Sequence, residues 1–148
     1  MLLSEGITPL SIIALCLPKY TDTALSLVSS EQLYSRIKIG EDGVEINNSD
    51  ISGIKSKDSI VLGGPILLSV SNHKEYGYIR VKSVPQNLTR PGTGNLMIVS
   101  ELASKLSGAQ TSSTYVGNIW SFYASSRHLT PTEAYMVETW MRSMHGVE

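Results

Sequence analysis

Three histidines, one cysteine and a background of 22 serines and 10 threonines are the residues in this sequence from which chemistry could be built. His73, His128 and His145 lie far apart and show no H-x-x-x-H spacing, so no metal site is written in the order of the chain. His145 falls at the end of a helical pattern, where the helix dipole favours an imidazolium, and that accounts for it. His128 follows Arg127 and precedes a helix cap at Thr130, which suits a loop or an interface as well as catalysis. The pattern S-x-x-K occurs at Ser35/Lys38, Ser52/Lys55 and Ser71/Lys74, but among so many serines it arises by chance, and no G-x-S-x-G elbow accompanies it. Cys16 has Ile12, Ile13, Leu15 and Leu17 around it, which predicts a buried thiol rather than a reactive one. The run Pro91-Gly92-Thr93-Gly94-Asn95 lacks the G-K-[ST] ending of a phosphate loop. Asp42, Glu45, Asp50 and Asp58 read as turn and strand-face carboxylates rather than an acid–base pair. The expectation is therefore no cofactor, no metal and no enzyme, the rival being a small enzyme whose site is assembled from distant residues around His73 or His128.

One constellation remains. Residues 76–84 alternate, so Tyr76, Tyr78, Arg80 and Lys82 share one side of a strand while Ile79 and Val81 take the other. Rings on a sheet can stack on unpaired bases while cations hold phosphates, and Lys74 and Arg90 flank the segment. Lys74, Tyr76, Tyr78, Arg80, Lys82 and Arg90 are thus the candidate contacts to single-stranded nucleic acid. The plainer reading weighs more: basic residues guard a strand from edge pairing, and no RNP-like motif is present.

A second surplus lies near the C-terminus. If one helical face covers a sheet, then Phe122, Tyr135 and Met136 cannot all point inward together with Trp120 and Trp140. Phe122, Tyr135, Met136 and Trp140 are the candidate contacts between copies of the chain, since aromatics and Met are enriched at subunit interfaces. A generous core explains them about as well.

The elements expected to position these residues begin with helices. Thr8-Pro9 offers a helix start running to Leu17, and Asp22-Thr23 caps a second helix with Leu25, Val28 and Leu33 inward. From Arg36 the period becomes two, and Glu41-Asp42-Gly43 between alternating runs signals a hairpin. The apolar runs 60–62 and 66–70 lack alternation and predict strands covered on both faces. Residues 87–95 read as a loop. Helical spacing then returns at Leu102 and Leu106, with Gly108 as a stop, and again at Tyr115, Val116, Ile119, Trp120 and Tyr123. Thr130-Pro131-Thr132-Glu133 is a capping box with proline in the first turn, and Gly146 ends that last helix. Its inward face is expected to carry Ala134, Val137, Met141 and Met144. The sum is an α+β fold: a mainly antiparallel sheet of four to five strands over about 36–99, covered by N-terminal and C-terminal helices, in one domain over 1–148.

Length and composition bound the rest. The chain has 148 residues, 41% of them hydrophobic and 17% charged, with a net charge of −1. Charge is uneven: −3 over 1–73, +4 over 74–127 and −2 over 128–148, too small an excess for a duplex-DNA binder. A weakly charged, hydroxyl-rich exterior repels its own copies poorly. The run 7–17 is too short to span a bilayer and does not resemble a secretory signal, since the segment before it holds Glu5 and no basic residue, and a single cysteine leaves no trace of an oxidising compartment. These features point to a cytoplasmic, non-enzymatic, self-associating structural protein such as a small viral matrix or coat subunit, in the host cytoplasm or the virion. Its expected partners are further copies of itself and single-stranded nucleic acid. The runner-up is a regulatory or inhibitory module that binds another protein.

Overall fold

A computed structural model describes residues 2–7, 10–18, 25–29, 36–40, 43–48, 51–58, 60, 64–94, 99–102 and 117–147. Their elements are β1 (Leu2–Ile7), β2 (Ser11–Pro18), β3 (Leu25–Ser29), β4 (Arg36–Gly40), β5 (Gly43–Asn48), β6 (Ile51–Ser56), β7 (Ile66–Ser71), β8 (Tyr78–Val81), β9 (Val84–Pro85), β10 (Leu88–Arg90), β11 (Val99–Leu102), β12 (Gly117–Ser125) and α1 (Pro131–His145). Two antiparallel sheets face each other, one in the order β1-β11-β3-β4-β5-β6-β10 and the other β12-β2-β7-β8-β9. Among the described residues the fold is a β-sandwich with one C-terminal helix, which corrects the expected α+β arrangement with helices at both ends.

The errors have physical causes. Ile12, Ala14 and Cys16 of β2 enter the core between the sheets, while Ile13 and Leu15 enter a second cluster beneath α1. A strand covered on both faces is apolar throughout, and such a run cannot be told from a buried helix by period. The expected second helix is replaced by β3 at residues 25–29, and the Leu102 segment by β11. Thr8-Pro9, Asp22-Thr23, Leu33, Leu106, Gly108, Tyr115 and Val116, on which those helix expectations also rest, lie outside the described residues. In β12 the register slips between Ile119 and Ser121, leaving Trp120 as a bulge opposite β2. Ile119, Phe122 and Ala124 all pack toward the intersheet core, so the bulge converts an alternating pattern into a three-residue step that reads as helix.

Other expectations hold. All six residues of β7 are buried, as a doubly covered strand requires. The run 60–62 differs: Ile60 is buried but lies outside any strand, and residues 61–63 are not among those described. The β4–β5 hairpin forms with Gly40 opposite Gly43, whose φ of 113° suits glycine. A Cβ on Gly43 would lie 2.6 Å from Ser56 Oγ, and that hydroxyl accepts from Val44 N at 2.8 Å. The expected loop 87–95 contains the short strand β10, which pairs with β6. Helix α1 begins at the Thr130–Glu133 capping box and ends at Gly146 in the left-handed region. It roofs the outer face of β2 and β7 through Ala134 and Met141, with Val137 half-buried beside them. Each fully enclosed Ile or Leu of the two clusters contributes about 1.5–3 kcal/mol. Met144, expected inward, is exposed. Among the described residues no helix is long and apolar enough to cross a membrane.

Candidate functional site

The strand singled out for nucleic acid behaves as alternation requires, but α1 lies over one of its faces. Ile79 enters the intersheet core, with Val81 packed against it, while Tyr78 joins the cluster beneath α1. Arg80 is buried and forms a two-pronged pair with Glu138 of α1, Nε to Oε1 at 2.9 Å and Nη2 to Oε2 at 3.1 Å. Ser69 Oγ donates to the same carboxylate at 2.7 Å. Burial pushes the Glu138 carboxyl up, but hydrogen bonds from Arg80 and Ser69, with the Arg80 charge, outweigh it and hold the group below the usual carboxylate range. The Tyr78 hydroxyl donates to Leu129 O at 2.8 Å, and burial pushes its phenol far above the ordinary value.

The other four candidates are scattered. Lys74 and Tyr76 lie exposed on the turn between β7 and β8, and Lys82 is exposed on the turn after β8. Arg90 belongs to the other sheet, where Nη2 meets Glu45 Oε1 at 2.9 Å and Nε donates to Gly53 O. The six therefore do not form one exposed face. The missing signal was Glu138, a carboxylate at helical spacing between Ala134 and Met141 on the inward stripe of α1. A charged residue in that position implies a buried partner, and Arg80 is it.

A cluster that the sequence did not group lies at the end of the five-stranded sheet. His73 and His128 rings approach to 4.9 Å between centroids, Tyr76 stacks on His73 at 5.2 Å, and Tyr78 meets His128 edge-on at 5.8 Å. Ser71 Oγ lies 2.6 Å from His128 Nδ1. That pair has the look of a nucleophile and its base, but Ser71 is fully buried and no described carboxylate hydrogen-bonds the ring. His73 Nδ1 accepts from Glu75 N at 3.1 Å and Tyr76 N at 3.0 Å, so a neutral His73 carries its proton on Nε2 and offers no lone pair there to a metal. Among the described residues no three His, Cys, Asp or Glu side chains are placed to hold a metal ion. His128 has a depressed pKa, first because it is partly buried and then because the His73 charge opposes its own, with Arg127 adding to this and Glu133 working against it.

The cluster is a clasp for the strap between β12 and α1. Ser11 Oγ donates to Arg127 O and accepts from Leu129 N, both at 3.0 Å, and Arg127 pairs with Glu133 through both guanidinium nitrogens at 3.1 Å. Cys16 is buried, as expected from its neighbours.

On its outward side α1 exposes Tyr135 by 52%, Met136 by 67%, Trp140 by 56% and Met144 by 57%. Arg142 lies over the Tyr135 ring at 5.7 Å. Phe122, grouped with them in the sequence, packs instead against the intersheet core. Trp120 and Tyr123 of β12 add exposed aromatic surface, and Trp120 stacks on His145 at 5.9 Å while Ser121 Oγ meets His145 Nε2 at 2.7 Å. Neither Trp120 nor Tyr123 was among the candidate interface residues.

No protein-family model and no curated protein sequence matches this chain. Among solved structures it is similar to the native heptameric SAP-like pentraxin from Limulus polyphemus, with a TM-score of 0.66 and 11% identity over 91% of this chain and 73% of that one. At that identity the likeness is one of fold, a pentraxin-like β-sandwich.

Proposed function

We propose that this chain is a non-enzymatic, self-associating sandwich subunit whose copies meet on the outer side of α1 and the neighbouring β12. The observation that carries the reading is the exposure, each by more than half, of Tyr135, Met136, Trp140 and Met144 on one helix. Contiguous apolar surface of this kind marks interaction sites, and aromatic and Met side chains are the types that subunit interfaces concentrate. A net charge of −1 offers little repulsion between copies. The heptameric state of the structurally similar pentraxin lends support, since a like sandwich assembles there with copies of itself. Enclosure of Ser71 and the fixed tautomer of His73 speak for a non-catalytic role of the histidine cluster.

A viral coat or matrix role and contact with single-stranded nucleic acid draw no support from these residues, because Arg80 is engaged by Glu138 and Tyr78 by Leu129. Light scattering on protein eluting from a sizing column tests the proposal. Mass should rise above one subunit with concentration, and Met136→Glu with Trp140→Glu should return it to the monomer while thermal unfolding stays cooperative. A strict monomer at every concentration overturns it.

A further inference from the structure

Among the described residues each sheet ends in two strands whose outer sides no other strand pairs, and the four edges differ in how they are guarded. Strand β9 has two residues, ends in Pro85 and follows Lys82. Strand β10 has three and ends in Arg90, and β1 carries Glu5. Short length, proline and charge are the devices by which proteins keep sheet edges from pairing with other chains. Strand β12, with nine residues, has none of them: Gly117–Ser125 contains no charged residue and no proline. Its one irregularity is the bulge at Trp120, and beyond that bulge residues 121–125 pair in unbroken register with residues 15–11 of β2.

We propose that residues 121–125 of β12 form the edge at which two copies of this chain join, antiparallel, into one continuous sheet. The proposal rests on the self-association reading and names its interface. A second copy fits because antiparallel pairing of a strand with itself is isologous: the same edge serves both partners. An uncharged strand meets its copy without opposing like charges, whereas a charged foreign strand would find no counter-charge here. Antiparallel pairing also keeps both copies of α1 on one side of the joined sheet. Tyr123, 38% exposed, and Trp120, 37% exposed, lie on that side, as the contact of Ser121 with His145 of α1 requires. Pairing brings the Tyr123 rings of both copies together, where aromatic cross-strand pairs stabilise a sheet.

Charge placed at Tyr123 tests this. Tyr123→Lys and Tyr123→Glu should each raise the dimer dissociation constant by about tenfold or more through like-charge repulsion across the pair, while their equimolar mixture regains the affinity of the unmodified chain. Amide hydrogen exchange within residues 121–125 of the unmodified chain should slow as its concentration rises. Dimers that ignore both substitutions, or exchange that ignores concentration, would overturn the edge pairing and leave self-association standing. An unmodified chain that stays monomeric throughout removes both.

Discussion

At the residue scale the buried charges centre on Glu138. Its carboxylate is enclosed and neutralised by Arg80 with help from Ser69, so removing it strands a buried guanidinium without a partner. Glu138→Ala is expected to cost about 3–5 kcal/mol in a urea titration, and Arg80→Met combined with Glu138→Leu to recover most of that, because a buried pair is dear to break but replaceable by apolar groups. The pair also sets an acid limit. A carboxyl held below its ordinary 4.5 stabilises the fold fully above that value and loses the contribution as pH falls through the folded-state value. His128 works in the same direction by a different route. Its folded pKa lies below the ordinary 6.5, so the unfolded chain takes up the proton first and stability declines as pH drops below 6.5 toward the folded-state value. Urea midpoints at pH values on either side of 6.5 should differ less in His128→Asn than in the unmodified chain, and an equal difference would refute the assignment.

At the element scale, what could be read from the chain was set by how local its determinants are. Both ends of helix α1 were legible because Thr130, Pro131 and Glu133 act within a few residues of one another at its start and Gly146 acts locally at its end, whereas its inward face was misread at Met144 and Glu138. Thr130→Ala should therefore lower stability by about 1 kcal/mol, visible as a drop in Tm without loss of the sandwich. The β4–β5 hairpin was legible through Asp42-Gly43, where backbone geometry selects the residue. Strands β2 and β12 were not. The first is apolar on both faces because a second sheet covers one and α1 the other, a fact of tertiary structure that leaves no period in the sequence. The second is broken by the bulge at Trp120, which shifts the inward set by one residue. The same reason hid the histidine clasp and the Arg80–Glu138 pair, whose members lie 55 and 58 positions apart and meet through the packing of α1. Alternation correctly placed Tyr78 and Arg80 on one face of β8; it carried no information about what roofs that face.

At the scale of the whole molecule, the forces available for assembly predict its salt dependence. The chain carries a net charge of −1, its described ion pairs Arg80–Glu138, Arg90–Glu45, Lys55–Glu45 and Arg127–Glu133 are internal, and the surface offered to a partner is Tyr, Trp and Met on α1 with an uncharged strand beside it. Contacts between charged surfaces weaken as salt shortens the Debye length from about 10 Å at 0.1 M to about 3 Å at 1 M. Burial of apolar surface does not, and excluded salts such as sulfate strengthen it. Sedimentation in sodium chloride should give a dissociation constant that changes little over that range, and in sodium sulfate one that falls. Association lost at high sodium chloride would mean that charged groups hold the copies together, and β12 could then not be the contact, because it has no charge to lose.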